Sequence, residues 1–355
     1  MPKSAPSCFN LFRTTPGIFG HQFQAIRCLS TRHTTYTLNT GAKIPAVGFG
    51  TFQDPDAQEE AVCTALKTGY RLIDTARIYH IEKQVGKGIK KSGVPREEVF
   101  IGTKLWCNDY HPEDVERAVD DSLRDLDTPY LDLILMHYPC TFARGTERFP
   151  RDANGKMIHG ETTFVDTWKA LEKVVKTGKV RAIGVSNFSK GEVERLLNET
   201  DTPPAVHQME LHPYLQQKEF AKWHKKQGIH IVQFSPLGNM NSFYRTTGWS
   251  KEISHMARLI DSPILAEIGK KHGKSAVQIA LSWGINNGRS LIPKSVVPDE
   301  IAANIEADFE LDPDDMAKIA EMDVKARFND PSGDYEYRLY SDLEGIEGTR
   351  VGRTH

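Results

Sequence analysis

An α/β fold, with eight parallel strands closed into a (β/α)8 barrel, is what the sequence predicts, on three observations. Strand-sized apolar runs alternate with amphipathic helical stretches along most of the 355 residues, the pattern of a parallel sheet with crossover helices. Eight such runs can be counted, the number that closes a barrel. No Pro- or Ser-rich linker divides the chain, so one domain is expected after the N-terminal segment.

Residues 37–51 read as a short hairpin around Asn39-Thr40-Gly41 that leads into the first run, 46–50. The other runs are 70–73, 99–102, 131–136, 180–185, 205–209, 230–234 and 290–292. The clearest helical stretches are 56–68, 113–126, 164–177 and 275–287. Pro112 precedes two acidic residues, as at a helix start, and Gly178 and Gly228 follow helical runs where a left-handed cap is needed. The longest gap separates the seventh and eighth strands and includes 239–261, an inserted loop without a strong period.

The rival architecture is a doubly wound open sheet. It would show a glycine fingerprint after its first strand, whereas Gly48-Phe49-Gly50 is followed by Gln53 where the third glycine belongs. Gly269-x3-Gly273-Lys274-Ser275 imitates a phosphate loop but is one residue short and lies between two predicted helices. Both sets of glycines are expected to serve packing and turns.

Lys and Arg number 45 against 47 Asp and Glu, a balance that argues against a dedicated nucleic-acid binder. Five cysteines without a C-x-x-C pair exclude a disulfide-built scaffold and a zinc ribbon, and no metal is expected. No apolar run approaches the ~18 residues of a membrane span. One imbalance stands out. The first acidic residue is Asp54, and the preceding stretch holds Lys3, Arg13, Arg27, Arg32 and Lys43. Residues 1–33 are acid-free and rich in Ser and Thr, with Phe19, Phe23 and Ile26 at helical spacing. A mitochondrial transit peptide is expected there, with a disordered extension and a cytoplasmic enzyme as the alternative. Residues 34–355 form the barrel domain, including a C-terminal tail over the pocket.

In such a barrel, chemistry gathers at the C-terminal ends of the strands. Asp74 follows the second run, and Tyr79 comes five residues later. Lys104 follows the third run, His137 the fourth, and Ser186 with Asn187 the fifth. Gln208 lies within the sixth, Ser235 closes the seventh, and Lys294-Ser295 closes the eighth. Each has a bland alternative as a cap, rim charge or core polar residue. Their recurrence at equivalent positions of successive strands makes them candidates together.

The segments Gly48-Phe49-Gly50-Thr51, Asp74-Thr75-Ala76 with Tyr79, Thr103-Lys104-Leu105-Trp106, Leu135-Met136-His137-Tyr138-Pro139, Gly184-Val185-Ser186-Asn187-Phe188, Ser235-Pro236-Leu237-Gly238 and Ile292-Pro293-Lys294-Ser295 resemble the aldo-keto reductase family. They stand in family order and span about residues 36–330. The resemblance implies a (β/α)8 TIM barrel with an N-terminal β-hairpin and extra helices and loops at the strand 7–8 connection. It also implies metal-free reduction of carbonyls with a nicotinamide cofactor.

Carbonyl reduction needs hydride at carbon and a proton at the developing alkoxide. A free phenol titrates near 10, and a nearby cation lowers that value and stabilises the phenolate. The resemblance makes Tyr79 the general acid, Lys104 the cation, Asp74 its carboxylate partner and His137 the group that places the substrate oxygen. It assigns Ser186, Asn187 and Gln208 to the nicotinamide carboxamide, and Phe234 to ring stacking where Tyr is commoner. Ser235 and Leu237 would line the pyrophosphate, and Lys294, Ser295 and Asn304 the adenosine end.

One departure concerns the cofactor. Members that prefer NADP(H) usually carry Arg where this chain has Glu300, beside Asp299. A carboxylate repels a 2′-phosphate and can accept from a ribose hydroxyl. Lys294 and Ser295 still favour phosphate, so NADP(H) is the expected cofactor and NAD(H) the accepted alternative. Phe52, Trp106 and Tyr138 match pocket-lining positions, Tyr138 replacing the commoner Trp. The acidic tail with Tyr335, Tyr337 and Tyr340 points to a sugar- or polyol-derived carbonyl substrate. A monomer with a small-molecule substrate is expected, without nucleic-acid or membrane partners. The alternatives are a cofactor-binding regulatory subunit resembling potassium-channel β-subunits and an NADH-preferring member of the same family. A short-chain dehydrogenase, mimicked by Tyr79-x3-Lys83, fails on the missing glycine fingerprint.

Overall fold

The computed structural model describes residues 34–242, 253 and 255–343. The expected leader, 1–33, lies outside the described residues, as do residues 243–252 and 254 of the inserted loop and 344–355 of the tail.

A hairpin opens the chain. Strands β1 (Thr35–Thr37) and β2 (Lys43–Pro45) pair antiparallel with Tyr36 opposite Ile44. Gly41, at φ +84°, makes the turn between them. Eight parallel strands follow: β3 (Phe49–Gly50), β4 (Leu72–Asp74), β5 (Phe100–Leu105), β6 (Leu133–Met136), β7 (Ile183–Ser186), β8 (Val206–Glu210), β9 (His230–Phe234) and β10 (Ser290–Leu291). They are hydrogen-bonded in sequence order. The first and last also meet: Val47 bridges Leu291 in parallel, and Gly48 N–H donates to the Leu291 carbonyl at 2.8 Å. The sheet therefore closes, as expected.

Helices cross between successive strands: α1 (Gln58–Thr68), α2 (Glu82–Ser92), α3 (Pro112–Asp125), α4 (Phe164–Lys176), α5 (Lys190–Glu199) and α6 (Lys218–Gln227). Among the described residues between β9 and β10 stand two α-helices, α7 (Pro263–His272) and α8 (Ala276–Asn286), with α7 an extra element of the expected insertion. After β10 come α9 (Pro298–Ile305), α10 (Pro313–Ala320) and the short α11 (Ser332–Tyr335) in the tail. Several starts are fixed by local chemistry. Thr163 with Asp166, Ser189 with Glu192, and Ser275 with Gln278 form reciprocal capping boxes.

Strand parity sorts the core. Ile73, Ile101, Ile134 and Ile183 belong to the cluster packed with the helices. Leu72, Phe100, Leu133 and Leu135 form a second cluster inside the barrel, which Leu38 and Ile44 of the hairpin also join. The hairpin thus plugs the N-terminal end of the barrel and leaves the other end for the site. On β4 and β5 the inward parity continues from Leu72 to Asp74 and from Phe100 through Gly102 to Lys104. The glycines that mimicked phosphate loops have packing and turn roles. A Cβ on Gly269 would stand 2.5 Å from the Lys274 carbonyl, and Gly273 caps α7 at φ +64°.

Candidate active site

At the C-terminal rim, the backbone delivers the candidate residues from five neighbouring strands. Asp74 ends β4, and a single helical turn, Arg77–Tyr79, follows it and carries Tyr79. Lys104 lies near the end of β5, and His137 directly follows β6. Ser186 ends β7, and Asn187 then takes a left-handed conformation at φ +62°. Gln208 sits within β8. Such strained residues cluster at functional sites.

The lysine is the electrostatic centre. Lys104 Nζ donates to Asp74 Oδ1 at 2.5 Å and to the Thr75 carbonyl at 2.9 Å. Only 1% of its side-chain surface is exposed. Burial pushes its ammonium below the usual lysine range, and Asp74 and then Glu82 pull it back up. Asp74 Oδ2 accepts from Gln208 Nε2 at 2.8 Å, so both carboxylate oxygens are held. Lys104 Nζ stands 5.5 Å from the centre of the Tyr79 ring. Behind this layer, Glu82 accepts from Thr103 Oγ1 at 2.7 Å and faces the Arg77 guanidinium at 3.3 Å. Burial raises the Glu82 carboxyl above its ordinary value.

His137 lies edge-on to Tyr79 at 5.9 Å between ring centres and edge-on to Trp106 at 5.4 Å. It stacks on Tyr138 at 5.1 Å. Burial, and then the Lys104 charge, hold its imidazole well below the ordinary histidine value. The ring is therefore neutral near pH 7, with one N–H to donate and one lone pair. Its Nδ1 has no hydrogen-bond partner among the described residues.

These groups face a cavity of about 760 Å³. Asp74, Tyr79, His137, Ser186, Asn187 and Gln208 line its floor. Phe234, Ser235 and Leu237 continue the wall toward Lys294, Ser295 and Glu300. Lys104 lies beneath the floor. Asn304 is buried on α9 and is not among the lining residues, so the structure does not bring it to the cavity where the sequence expected it.

The donor set fits a nicotinamide dinucleotide. Asn187 Oδ1 accepts one hydrogen bond, from Tyr340, and a carbonyl oxygen has a second lone pair for a bound amide. Phe234 is half-buried with its ring on the wall. At the far end, a cation and a carboxylate stand together, but each is engaged. Lys294 is paired with Asp54, and Ser295 Oγ donates to Glu300 Oε2 at 2.6 Å. Among the described residues no group of three or more His, Cys, Asp or Glu could hold a metal, and no helix is long and apolar enough to cross a membrane.

The substrate end is aromatic. Phe52 packs against Tyr79 at 5.1 Å, and Trp106 anchors its indole N–H on the Arg148 carbonyl at 2.7 Å. Phe149 and Tyr335 complete the wall beside Trp106 and Tyr138. Two tail tyrosines depart from the sequence expectation. Tyr337 donates to Glu192 Oε1 at 2.7 Å and Tyr340 to Asn187 Oδ1 at 2.8 Å. Neither is among the residues lining the cavity, so of the three only Tyr335 serves the polar-pocket argument.

Sequence reasoning missed Asp54, Glu82 with Arg77, and the Tyr340–Asn187 bond. Asp54 is 240 residues from Lys294, and no local pattern couples them. Glu82 carried a signal that went unused: a carboxylate in the first turn of α2, at a position of that helix buried against the barrel.

Known proteins match this chain in sequence, and a solved structure matches it in fold. The sequence model of the Aldo/keto reductase family matches residues 39–324. An uncharacterized oxidoreductase of Schizosaccharomyces pombe is 44% identical over 322 residues, covering 90% of this chain and 95% of that protein. Aldo-keto reductase family 1 member A1 of Rattus norvegicus is 39% identical over 298 residues, covering 82% and 90%. The solved aldose reductase of Schistosoma japonicum superposes with a TM-score of 0.79 at 29% identity, over 88% of this chain and 99% of that one. A closed eight-stranded barrel, a buried lysine–carboxylate pair at its rim and a match over most of the sequence agree: this chain belongs to the aldo/keto reductase family.

Proposed function

We propose that this protein reduces aldehydes or ketones to alcohols with Tyr79 as general acid. The observation that supports this best is the buried Lys104–Asp74 pair under the Tyr79 ring, with a neutral His137 beside it. A bound nicotinamide cofactor supplies the hydride. The Tyr79 hydroxyl gives its proton to the carbonyl oxygen as negative charge develops there. Lys104 stabilises the phenolate left behind, and Asp74 keeps Lys104 charged inside a site that would otherwise neutralise it. His137 places the oxygen through its N–H. Ser186, Asn187 and Gln208 hold the carboxamide, Phe234 stacks, and Ser235 and Leu237 line the pyrophosphate.

For the cofactor we propose NADP(H), with NAD(H) accepted. The Asp54–Lys294 pair is partly exposed, with 48% and 22% of the two side chains open. Such pairs are worth only about 0–1 kcal/mol, so Lys294 can turn to a 2′-phosphate at little cost. Glu300 favours a ribose hydroxyl instead. The substrate is an aldehyde or ketone whose flat face packs on Trp106, Tyr138 and Tyr335. Sugar- or polyol-derived carbonyls fall within that description through their C–H faces. We further propose a mitochondrial address in residues 1–33. A fluorescent reporter fused to residues 1–35 that stayed cytosolic would remove it.

Tyr79→Phe tests the chemistry. Turnover of a simple aldehyde should fall by about 10²–10⁴, while the Kd of the reduced cofactor stays at the wild-type value. Near-normal turnover would sink the Tyr79 mechanism.

A further inference from the structure

The far end of the tail is fastened to the corner between β7 and α5. Asp342 accepts from the backbone N–H groups of Lys190 at 2.9 Å and Gly191 at 2.6 Å, at the start of α5. Tyr337 reaches Glu192 in the same turn. Tyr340 goes deeper. It is 2% exposed, its ring lies 4.0 Å under the Arg327 guanidinium, and its backbone stands at φ +55°. That conformation is costly for a bulky side chain and marks a position held by its surroundings.

Its hydroxyl donates to Asn187 Oδ1 at 2.8 Å. The partners of the Asn187 amide settle which of its ends is nitrogen and which is oxygen. Nδ2 faces the His137 carbonyl at 3.0 Å and Ser186 Oγ at 3.1 Å, and a carbonyl can only accept. Oδ1 must therefore meet the Tyr340 hydroxyl. Burial pushes the Tyr340 phenol well above its usual value, so it remains a donor throughout the working pH range. One side chain of the tail thus closes a chain of bonds that runs through Asn187 to the backbone of His137. Tyr340 itself does not line the cavity.

We propose that Tyr340 is a positioning residue for the nicotinamide site: its hydroxyl holds the oxygen end of the Asn187 amide, as the His137 carbonyl and Ser186 hold the nitrogen end, and so couples cofactor affinity to the docked tail. This rests on the carboxamide role proposed for Asn187. Removing the hydroxyl leaves Oδ1 with one anchor fewer, and the amide can rotate away from the pose a bound carboxamide needs. Coupling of this kind is reciprocal, so bound cofactor must also tighten the tail.

The test is a double-mutant cycle read by binding, not turnover. Full-length wild type, Tyr340→Phe, Asn187→Ala and the double variant are titrated with NADPH by tryptophan fluorescence. Loss of one buried hydrogen bond predicts a Kd rise of about five- to tenfold in Tyr340→Phe. In the Asn187→Ala background the same change should add nothing. A wild-type Kd in Tyr340→Phe, or fully additive effects in the double variant, would overturn the proposal. Hydrogen exchange on the wild type is the second measurement and needs no variant. NADPH should slow exchange of the backbone amides of residues 337–343, and unchanged exchange would overturn the proposal equally. A wild type that binds NADPH but reduces no carbonyl would sink the reductase function while leaving both measurements readable. A wild type that binds neither NADPH nor NADH would overturn the proposal together with the cofactor role on which it depends.

Discussion

Lys104 Nζ stands 2.5 Å from Asp74 Oδ1 in a site where 1% and 6% of the two side chains are exposed. A buried pair of this kind contributes less than its Coulomb attraction, because both ions lose water, yet removing one partner strands the other. Asp74→Asn should therefore lower unfolding free energy by about 3–5 kcal/mol, seen as a lower urea midpoint at unchanged slope. With Asp74 gone, burial acts on Lys104 with only Glu82 left to oppose it, and its ammonium value falls further. The alkaline limb of the pH–activity profile should move toward lower pH. Wild-type stability together with a wild-type limb would mean that the pair does neither job.

The adenosine end offers a cofactor-selectivity experiment. Glu300 accepts from Ser295, and Asp54 holds Lys294, so on the proposed cofactor placement two carboxylates face the 2′ position. Glu300→Arg exchanges repulsion for a charge-assisted bond and releases the Ser295 hydroxyl. The ratio of kcat/KM for NADPH over NADH should rise about ten- to a hundredfold. An unchanged ratio would show that the 2′ position lies elsewhere.

A pH effect on stability can be isolated at His230. Burial pushes its imidazole down to about 4, against an ordinary value of 6.5. Its Nε2 pairs with Ser290 Oγ at 2.9 Å, at the opposite end of the barrel from Tyr79. Above pH 6.5 both folded and unfolded forms are neutral, and His230 adds no pH dependence. Between 6.5 and 4 the unfolded chain binds a proton that the folded one does not, so stability falls with pH, by up to about 1.4 kcal/mol per unit. Glu82 and Glu192, raised by burial, act in the opposite direction over the acidic range. Comparing wild type with His230→Gln cancels them. The stability advantage of wild type should shrink from pH 7 to pH 5, and a constant difference would show that His230 titrates normally.

The barrel was legible because alternation of strand and helix is a local property, and parity along a strand places every second side chain. Asp74 and Lys104 could be marked as candidates because each comes just after an apolar run. Yet β5 extends to Leu105, beyond the apolar run that ended at Gly102. Thr103 and Lys104 look unlike strand residues in isolation, and the closed barrel buries them regardless. The tail is less legible for the opposite reason. With no period to follow, its three tyrosines have only composition in common. Two of them turn to α5 and to Asn187 just after β7, and Tyr340 finds its acceptor 153 residues away. Asn304 was placed by family spacing alone, which does not say which face of α9 is covered.

The tail has two duties within a few residues. Tyr335 packs against Trp106 and Tyr138, and Tyr340 holds Asn187. Segments of this kind are natural units of exchange when a scaffold acquires new substrates, by recombination in evolution or by grafting in the laboratory. In this chain such an exchange cannot be selective. A borrowed tail would replace the pocket wall and the clasp on Asn187 in one step, so chimeras need Tyr340 retained or its acceptor rebuilt.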